Sequence, residues 1–471
     1  MSEGVIAAID LGATSGRVLL ARVGSDTLTS STVARFANEP VATNDGLHWD
    51  MLALYDAAVL GLRTAFRQEP SITSIGVDSW AVDYGLLREG RLLGEPFHYR
   101  DARTATGVER VHERVTHAAL FARNGLQFLP FNTLYQLAAE PSALLGVADT
   151  ALLIPDLLSF WLTGRARAER TNASTTGLLH VSSREWDDEL IAALGLPRGI
   201  LPPLIDAGEQ VGTLLPGVAG RIGAPDGTRV TAVGSHDTAS AVVAVPMRPE
   251  AAAYISCGTW GLVGVEVERP VLTDAAREAG FTNEGGVDGR VRLLHNVMGL
   301  WILNEAVREW ERADGGSIDL AALLASARDA RCVVFDANDP RFLAPGDMVD
   351  RIDHWCDEHA VARPRTRPEY VRSIVDSLAD AFAAAVWDAA RLGGVEVTTI
   401  HLVGGGAQGE LLCQRTADRA GIPVLAGPVE ATALGNVLVQ ARAAGLISGS
   451  LDSLRDLVAR THPPRRFDPR R

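Results

Sequence analysis

The chain has 471 residues, 47% apolar and 22% charged, with 44 Lys and Arg against 58 Asp and Glu for a net charge of −14. That length exceeds one typical core and predicts roughly two to four domains, the composition is that of a water-soluble globular chain, and the acidic balance argues against a nucleic-acid partner, which needs a basic face. Four scattered cysteines (Cys257, Cys332, Cys356, Cys413) show no zinc spacing, no basic leader opens the chain, and Pro155 and Asp156 interrupt its most apolar run, which predicts a reduced cytoplasmic protein with no membrane partner.

The first element, AAIDLGATSGRVLLARV (residues 7–23), is a strand of small apolar residues ending on Asp10. It turns through Gly12 and Gly16 around Ala13-Thr14-Ser15 and resumes at Val18-Leu19-Leu20. Two readings fit: a hairpin whose aspartate caps the turn, or a turn whose glycines let phosphate oxygens approach the main chain. Taken alone, the hairpin is the commoner. Met51 to Gln68 reads as a helix capped by Asp50, with Met51, Tyr55, Val59, Leu62 and Phe66 at helical spacing. SITSIGVD (71–78) is a β-rich run that again ends on an aspartate. VTAVGSHDTASAVVAV (230–245) reads as strand, tight turn and helix. His236-Asp237-Thr238 sits at that turn, where the helix's first N–H groups point outward. Asp237 there is an N-cap or a general base, and caps are far commoner; His236 by itself is more often a packed polar residue than a ligand.

Residues 252–267, AAYISCGTWGLVGVEV, repeat the opening plan, with Thr259 and Gly261 where Thr14 and Gly16 stood. Two such hairpins predict two related domains facing one cleft, divided near residue 248 between Pro246 and Pro249. Tyr370 to Leu392 is the strongest helical pattern, with Val371, Ile374, Leu378, Phe382 and Val386 on one face and Gly393-Gly394 to stop it. From 398 to 436 a β-branched strand enters Gly404-Gly405-Gly406, a helix starts at Glu410, PVLAG forms a second strand, and another helix starts at Glu430-Ala431-Thr432. Three consecutive glycines point to close approach by something flat or charged, although no P-loop lysine follows. The end, RTHPPRRFDPRR, reads as a solvated tail.

Taken together, DLGATSGRV, GVDSWAVDYGLL, YRDART, QFLPFNTLYQL, SHDTASAV, SCGTW, TNEGG, NVMGLW and LVGGGAQ…AGPVEATALGN resemble the FGGY family of carbohydrate kinases, from the first strand to about residue 445. QFLPFNTLYQ and SHDTASAV discriminate, because glycine turns recur across the actin-like ATPase superfamily. The resemblance implies an α/β fold of two ribonuclease-H-like (actin-like ATPase) domains with a cleft between them. Residues 1–248 would form the sugar and phosphate side, 249–450 the nucleotide side and 451–471 a tail. It further implies ATP and Mg²⁺ as cofactors, a small-molecule ketose as substrate, and a monomer or small homo-oligomer. Ala13, Thr14, Ser15, Gly16 and Arg17 would hold the ATP phosphates, with Asp10 near Mg²⁺. Thr259, Asn296, Asn304, Gly405 and Gly406 would border the nucleotide. Ala81, His236, Asp237 and Thr238 would contact the ketose, with Asp237 as the base and Trp80 and Asp83 as further candidates, Trp80 reading equally as a core residue. Three positions depart from the family pattern: Ala81 replaces a glycine, Asn304 a glutamine, and Thr14 a serine whose hydroxyl it keeps. The joint presence of QFLPFNTLYQ, SHDTASAV and TNEGG implies L-rhamnulose as acceptor, at its 1-hydroxyl, ahead of L-fuculose or L-xylulose. A non-kinase actin-like ATPase is the reading from another class; it would not need His236-Asp237-Thr238 beside the phosphates.

Overall fold

In the computed structural model, which describes residues 3–470, the opening strand Gly4–Leu11 is buried on both faces. That is why its apolar run is continuous rather than alternating. It pairs antiparallel with Ser15–Val23, which pairs antiparallel with Leu28–Ala37. On its other side it pairs parallel with Ile72–Ser79, which pairs parallel with Arg229–Thr231. Gln210–Thr213 closes this six-stranded sheet. The helix Met51–Gln68 covers one face with Leu54, Ala58, Val59, Leu62 and Phe66, and Asp50 accepts from Ala53 N as its cap.

The second hairpin, Ala252–Cys257 and Trp260–Val267, starts a sheet built to the same plan. Val291–Met298 lies outside the hairpin, and Thr399–Val403 pairs parallel with Ala252–Cys257. Val424–Ala426 continues in parallel, and Arg465–Phe467 closes the edge antiparallel. The two hairpins thus open two sheets of matching strand order. The long helix Arg367–Gly393 buries Val371, Ile374, Leu378, Phe382 and Val386, and ends at Gly394 in the left-handed region (φ 66°).

The sequence divides the chain once, near residue 248, but the compact units interleave. The first takes the chain up to Pro246, then Val267–Leu293 and Ala431–His462; the second takes Met247–Glu266, Leu294–Glu430 and the chain from Pro463 onward. The segment expected as a tail from 451 is structured. Leu451–Thr461 is a helix with Leu451, Leu454, Leu457 and Val458 buried, and the basic end supplies the edge strand Arg465–Phe467, whose Phe467 is buried. Its apolar spacing and Phe467 outweigh the charge run. The four cysteines are all unpaired. Among the described residues no helix is long and apolar enough to cross a membrane.

The return of the late helix Ala431–Ala443 to the first unit depends on a close helix crossing. A Cβ at Gly435 would overlap the carbonyl oxygen of Ser240 on the helix Asp237–Val243. Gly435→Ala is therefore expected to cost about 1–3 kcal/mol through forced separation of the two helices and to lower the melting temperature in a thermal scan. An unchanged Tm would refute so tight a crossing.

Candidate functional site

At the first hairpin the main chain reverses tightly, Gly12 N donating to Ser15 O (2.9 Å). Asn38 braces the turn from the third strand: its N donates to Thr14 O (3.1 Å) and its Nδ2 to Gly12 O (2.8 Å). Sequence reasoning did not single out this buried asparagine. Ala13 and Ser15 are half-buried, and Thr14 is exposed at the tip. Gly16 is glycine for packing, since a Cβ there would overlap the Phe36 ring of the neighbouring strand. Arg17 stands directly across the hairpin from Asp10 and donates to its Oδ2 from Nε (2.8 Å) and Nη2 (2.6 Å). The cation expected at phosphates is thus held by the aspartate expected at the metal.

Asp10 is in register with Asp78 on the parallel strand, and Ser79 bridges to His236 beside Asp237. Three carboxylates therefore collect at the C-terminal ends of three neighbouring chain segments, the customary ligand side of an α/β sheet. Asp78 is fully buried; its Oδ2 accepts from Asn436 Nδ2 (2.6 Å), while Oδ1 has no hydrogen-bond partner. Burial pushes Asp78 well above the usual carboxylate range, and the charges of Asp10 and Asp237 push it further. The sequence marks Asp78 only as the end of a strand; its partner Asn436 lies in the ATALGN helix and was not legible as such.

His236 is the N-cap residue of the helix Asp237–Val243, and Asp237 is its first helical residue rather than its cap. Thr238 Oγ1 donates to Asp237 Oδ1 (3.1 Å), and His236 Nε2 lies 3.4 Å from the same oxygen. About a third (32%) of the Asp237 side chain is exposed, and partial desolvation still raises its pKa. His236 opposes that shift, and the charge of Asp10 adds to it. On its far side the imidazole meets two residues that sequence reasoning missed, Glu284 of the TNEGG stretch and the fully buried Arg292.

Ala81, Val82 and Asp83 form a tight turn in which Asp83 N donates to Ala81 O (2.9 Å) and Val82 adopts a φ of 69°. A β-branched residue in that region is strained. Its carbonyl is held by Thr133 Oγ1 (2.7 Å). Trp80, read also as core, and Asp83, a candidate sugar contact, form a buried brace. Asp83 Oδ2 accepts from Trp49 Nε1 (2.7 Å), Trp80 Nε1 (3.0 Å) and Tyr99 N (3.2 Å), and Oδ1 from Gln136 Nε2 (2.8 Å). Burial raises Asp83 to about 6, against these four donors. Ala81, half-buried at the start of the turn, keeps access.

In the second unit, Gly258 N donates to Trp260 O (2.8 Å), making a hairpin turn with Thr259 half-buried at its tip. Asn296 is half-buried in the strand Val291–Met298, and Asn304 is exposed on the helix Trp301–Asp314. Gly404 to Gly406 follow the strand parallel to the hairpin, so their turn and Thr259 share the C-terminal edge of that sheet. The glycines divide in role. A Cβ at Gly406 would come within 2.6 Å of Cys257 Cβ, so the main chain that it lets approach is its own. Gly405 is exposed with nothing within 4 Å of its missing side chain, which leaves it as the glycine open to a ligand.

Among the described residues no three His, Cys, Asp or Glu side chains are grouped to ligate a metal directly. A hydrated Mg²⁺ needs only one or two carboxylates, with waters and phosphates completing its shell. Asp10, backed by Asp78 with its unpartnered Oδ1, fits that requirement.

Residues 5–244 match the N-terminal domain and residues 253–444 the C-terminal domain of the FGGY family of carbohydrate kinases. The chain is 41% identical over 473 residues to a rhamnulokinase of Pectobacterium carotovorum subsp. carotovorum, covering 99% of this chain and 93% of that protein. A rhamnulokinase of Pectobacterium atrosepticum is 40% identical with the same coverage. In structure the chain is similar to a ligand-bound xylulose kinase from Lactobacillus acidophilus, with a TM-score of 0.80 at 17% identity over 99% of this chain and 94% of that one. It is also similar to Plasmodium falciparum glycerol kinase with ADP, with a TM-score of 0.76 at 16% identity and the same coverage. At such identities these two likenesses establish the fold.

The two adjacent glycines should separate in a stability measurement. Gly406→Val is expected to lower Tm by several degrees, the overlap with Cys257 costing about 1–3 kcal/mol, whereas Gly405→Val should leave Tm unchanged. Equal melting of the two variants would overturn this division of roles.

Proposed function

The chain belongs to the FGGY family of carbohydrate kinases, and on that premise we propose that it transfers the γ-phosphoryl group of ATP to the 1-hydroxyl of L-rhamnulose. The products are L-rhamnulose 1-phosphate and ADP, a step in L-rhamnose catabolism. The sugar is inferred from the two relatives named as rhamnulokinases, whose identity runs across nearly the whole chain. Four unpaired cysteines support a reduced, cytoplasmic setting.

Asp237 carries the mechanism. Thr238 and His236 both lie against Oδ1, which leaves Oδ2 as the oxygen that takes the proton from the sugar hydroxyl. Phosphoryl transfer is loose and nearly in line, so the protein's work is positioning and charge balance. A weakly basic carboxylate suffices, because the hydroxyl becomes acidic only as its bond to phosphorus forms. The turn Ala13 to Arg17 meets the phosphates, with the hydroxyls of Thr14 and Ser15 as donors and Arg17 shared between Asp10 and the incoming anion. Asp10 would hold Mg²⁺, which supplies the positive charge that lets phosphate oxygens approach this acidic edge. By the family resemblance Thr259, Asn296, Asn304, Gly405 and Gly406 border the nucleotide, Gly405 being the open glycine and Asn304, exposed on its helix, standing in place of the family's glutamine. On the sugar side Ala81, His236 and Thr238 join Asp237.

Asp237→Asn is expected to lower kcat on the order of 10² or more, with ATP still binding in a calorimetric titration; near-normal turnover would reduce Asp237 to a structural residue. The base works only when ionised and its pKa is raised. The acid limb of kcat/KM should therefore lie above the ordinary aspartate value of about 4, activity being lost as pH falls through it. A limb at or below the ordinary value would contradict the assignment.

The substrate assignment is checked by kcat/KM across a panel of L-rhamnulose, L-fuculose and L-xylulose in a coupled ADP assay. L-Rhamnulose should lead. A preference of about tenfold (~1.4 kcal/mol) for another ketose would overturn the sugar and leave the family.

A further inference from the structure

Behind the base lies an ion pair that the reaction scheme does not use. Arg292 has no exposed side-chain surface, and Glu284 only 9%. Their Nη2 and Oε2 lie 3.1 Å apart. Arg292 is tied to the backbone beside Glu284. Arg292 Nε donates to Gly285 O (3.0 Å), and Gly285 N donates to Ser174 Oγ (2.8 Å). A buried pair of this kind rarely adds net stability over an apolar filling, because removing two charges from water costs about what their attraction returns. A role in specifying geometry is therefore worth seeking, and the pair touches one functional side chain, His236.

The contact has a direction. Arg292 Nη2 lies 3.0 Å from His236 Nδ1, and a guanidinium can only donate. For that contact to be a hydrogen bond, Nδ1 must carry the lone pair, so the ring proton sits on Nε2. Nε2 faces Asp237 Oδ1 at 3.4 Å, a length that substrate binding commonly tightens at catalytic sites. Glu284 Oε2 also lies 3.3 Å from Nδ1 but makes no hydrogen bond there, which agrees with a lone pair on Nδ1, and its charge offsets that of Arg292.

We propose that the buried Glu284–Arg292 pair is a positioning device: it fixes His236 in the Nε2–H tautomer, which turns Oδ1 of Asp237 toward the protein and leaves Oδ2 for the sugar hydroxyl. Glu284 and Arg292 are thus positioning residues acting through His236. The idea rests on the reading of Asp237 as the base, but its first test does not.

That test is ¹⁵N NMR of the unmodified, histidine-labelled enzyme, with the His236 signals assigned by their loss in His236→Gln. The expected spectrum shows His236 protonated on Nε2 alone. A proton on Nδ1, in a neutral or a charged ring, overturns the proposal. The second test is kinetic. Arg292→Met should lower kcat by about tenfold while the KM for ATP stays within about twofold, with the tautomer preference lost and Arg292→Lys recovering part of both. A folded Arg292→Met enzyme with normal kcat overturns the proposal. If the tautomer is as expected but Asp237→Asn is fully active, the positioning survives and the base assignment fails.

Discussion

The site is governed by the mutual cost of placing Asp10, Asp78 and Asp237 at one end of a sheet. Desolvation, with neighbouring negative charge, holds Asp78 well above the usual carboxylate range and raises Asp237 against the opposing effect of His236. For Asp78 the sign of the linkage is clear. Its native pKa is raised, so the stability it lends is complete below its unfolded value of about 4 and is lost as pH rises through the native value. At neutral pH the fold therefore carries an electrostatic penalty at its functional edge. Asn436 relieves part of it through Asp78 Oδ2, and Arg17 relieves part through Asp10. What is left over is an attraction for a cation; on the proposed function that is the Mg²⁺ that accompanies an anionic triphosphate.

The sheet plan delivers this edge twice. In each unit a hairpin is followed by a parallel strand, so both tight turns fall at the C-terminal ends of parallel strands. The repeat extends to packing. Gly16 in the first hairpin is glycine because the Phe36 ring fills its side-chain space, and Gly261 in the second because Phe382 does the same. At these two positions the glycine is an internal fit of strand against aromatic ring. Only a minority of the glycines, Gly405 and Gly258 among them, face open space. The identity of a glycine says little about what approaches it; the direction of its absent Cβ says more.

Local patterns made most of this legible in the sequence. The helix Met51–Gln68 with its Asp50 cap, both hairpins and the stop at Gly394 follow from spacing and capping within a few residues of each element. The position of Asp237 at a strand-to-helix turn was equally local, although its neighbour His236 takes the cap. What escaped was every role set by a distant partner. Asp78 depends on Asn436, and His236 on Glu284 and Arg292, and no periodicity links residues so far apart. Asp83 was a candidate sugar contact because sugar hydroxyls need paired donors and acceptors, yet two indoles, a backbone amide and Gln136 occupy its oxygens. The interleaving of the units was hidden for the same reason: Ala431–Ala443 reads as a good helix anywhere, and only Gly435 records what it packs on.

The segment QFLPFNTLYQ anchors the turn at Val82 through side chains none of which need touch a sugar. Thr133 and Gln136 both reach back to the turn at Val82. Thr133 Oγ1 holds the Val82 carbonyl at 2.7 Å, while Gln136 Nε2 joins Asp83 Oδ1 at 2.8 Å and Phe131 O at 2.9 Å. Arg103 fixes Gln136 in turn, donating to its Oε1 at 3.1 Å and pairing with Glu140 at 3.0 Å. A strained φ persists only where surrounding contacts over-determine it, and these are such contacts. Ala81 opens this turn, so its methyl group is aimed by a chain of buried hydrogen bonds that starts in the QFLPFNTLYQ segment. On the proposed sugar side, preference among ketoses then depends on the shape in which that turn is held.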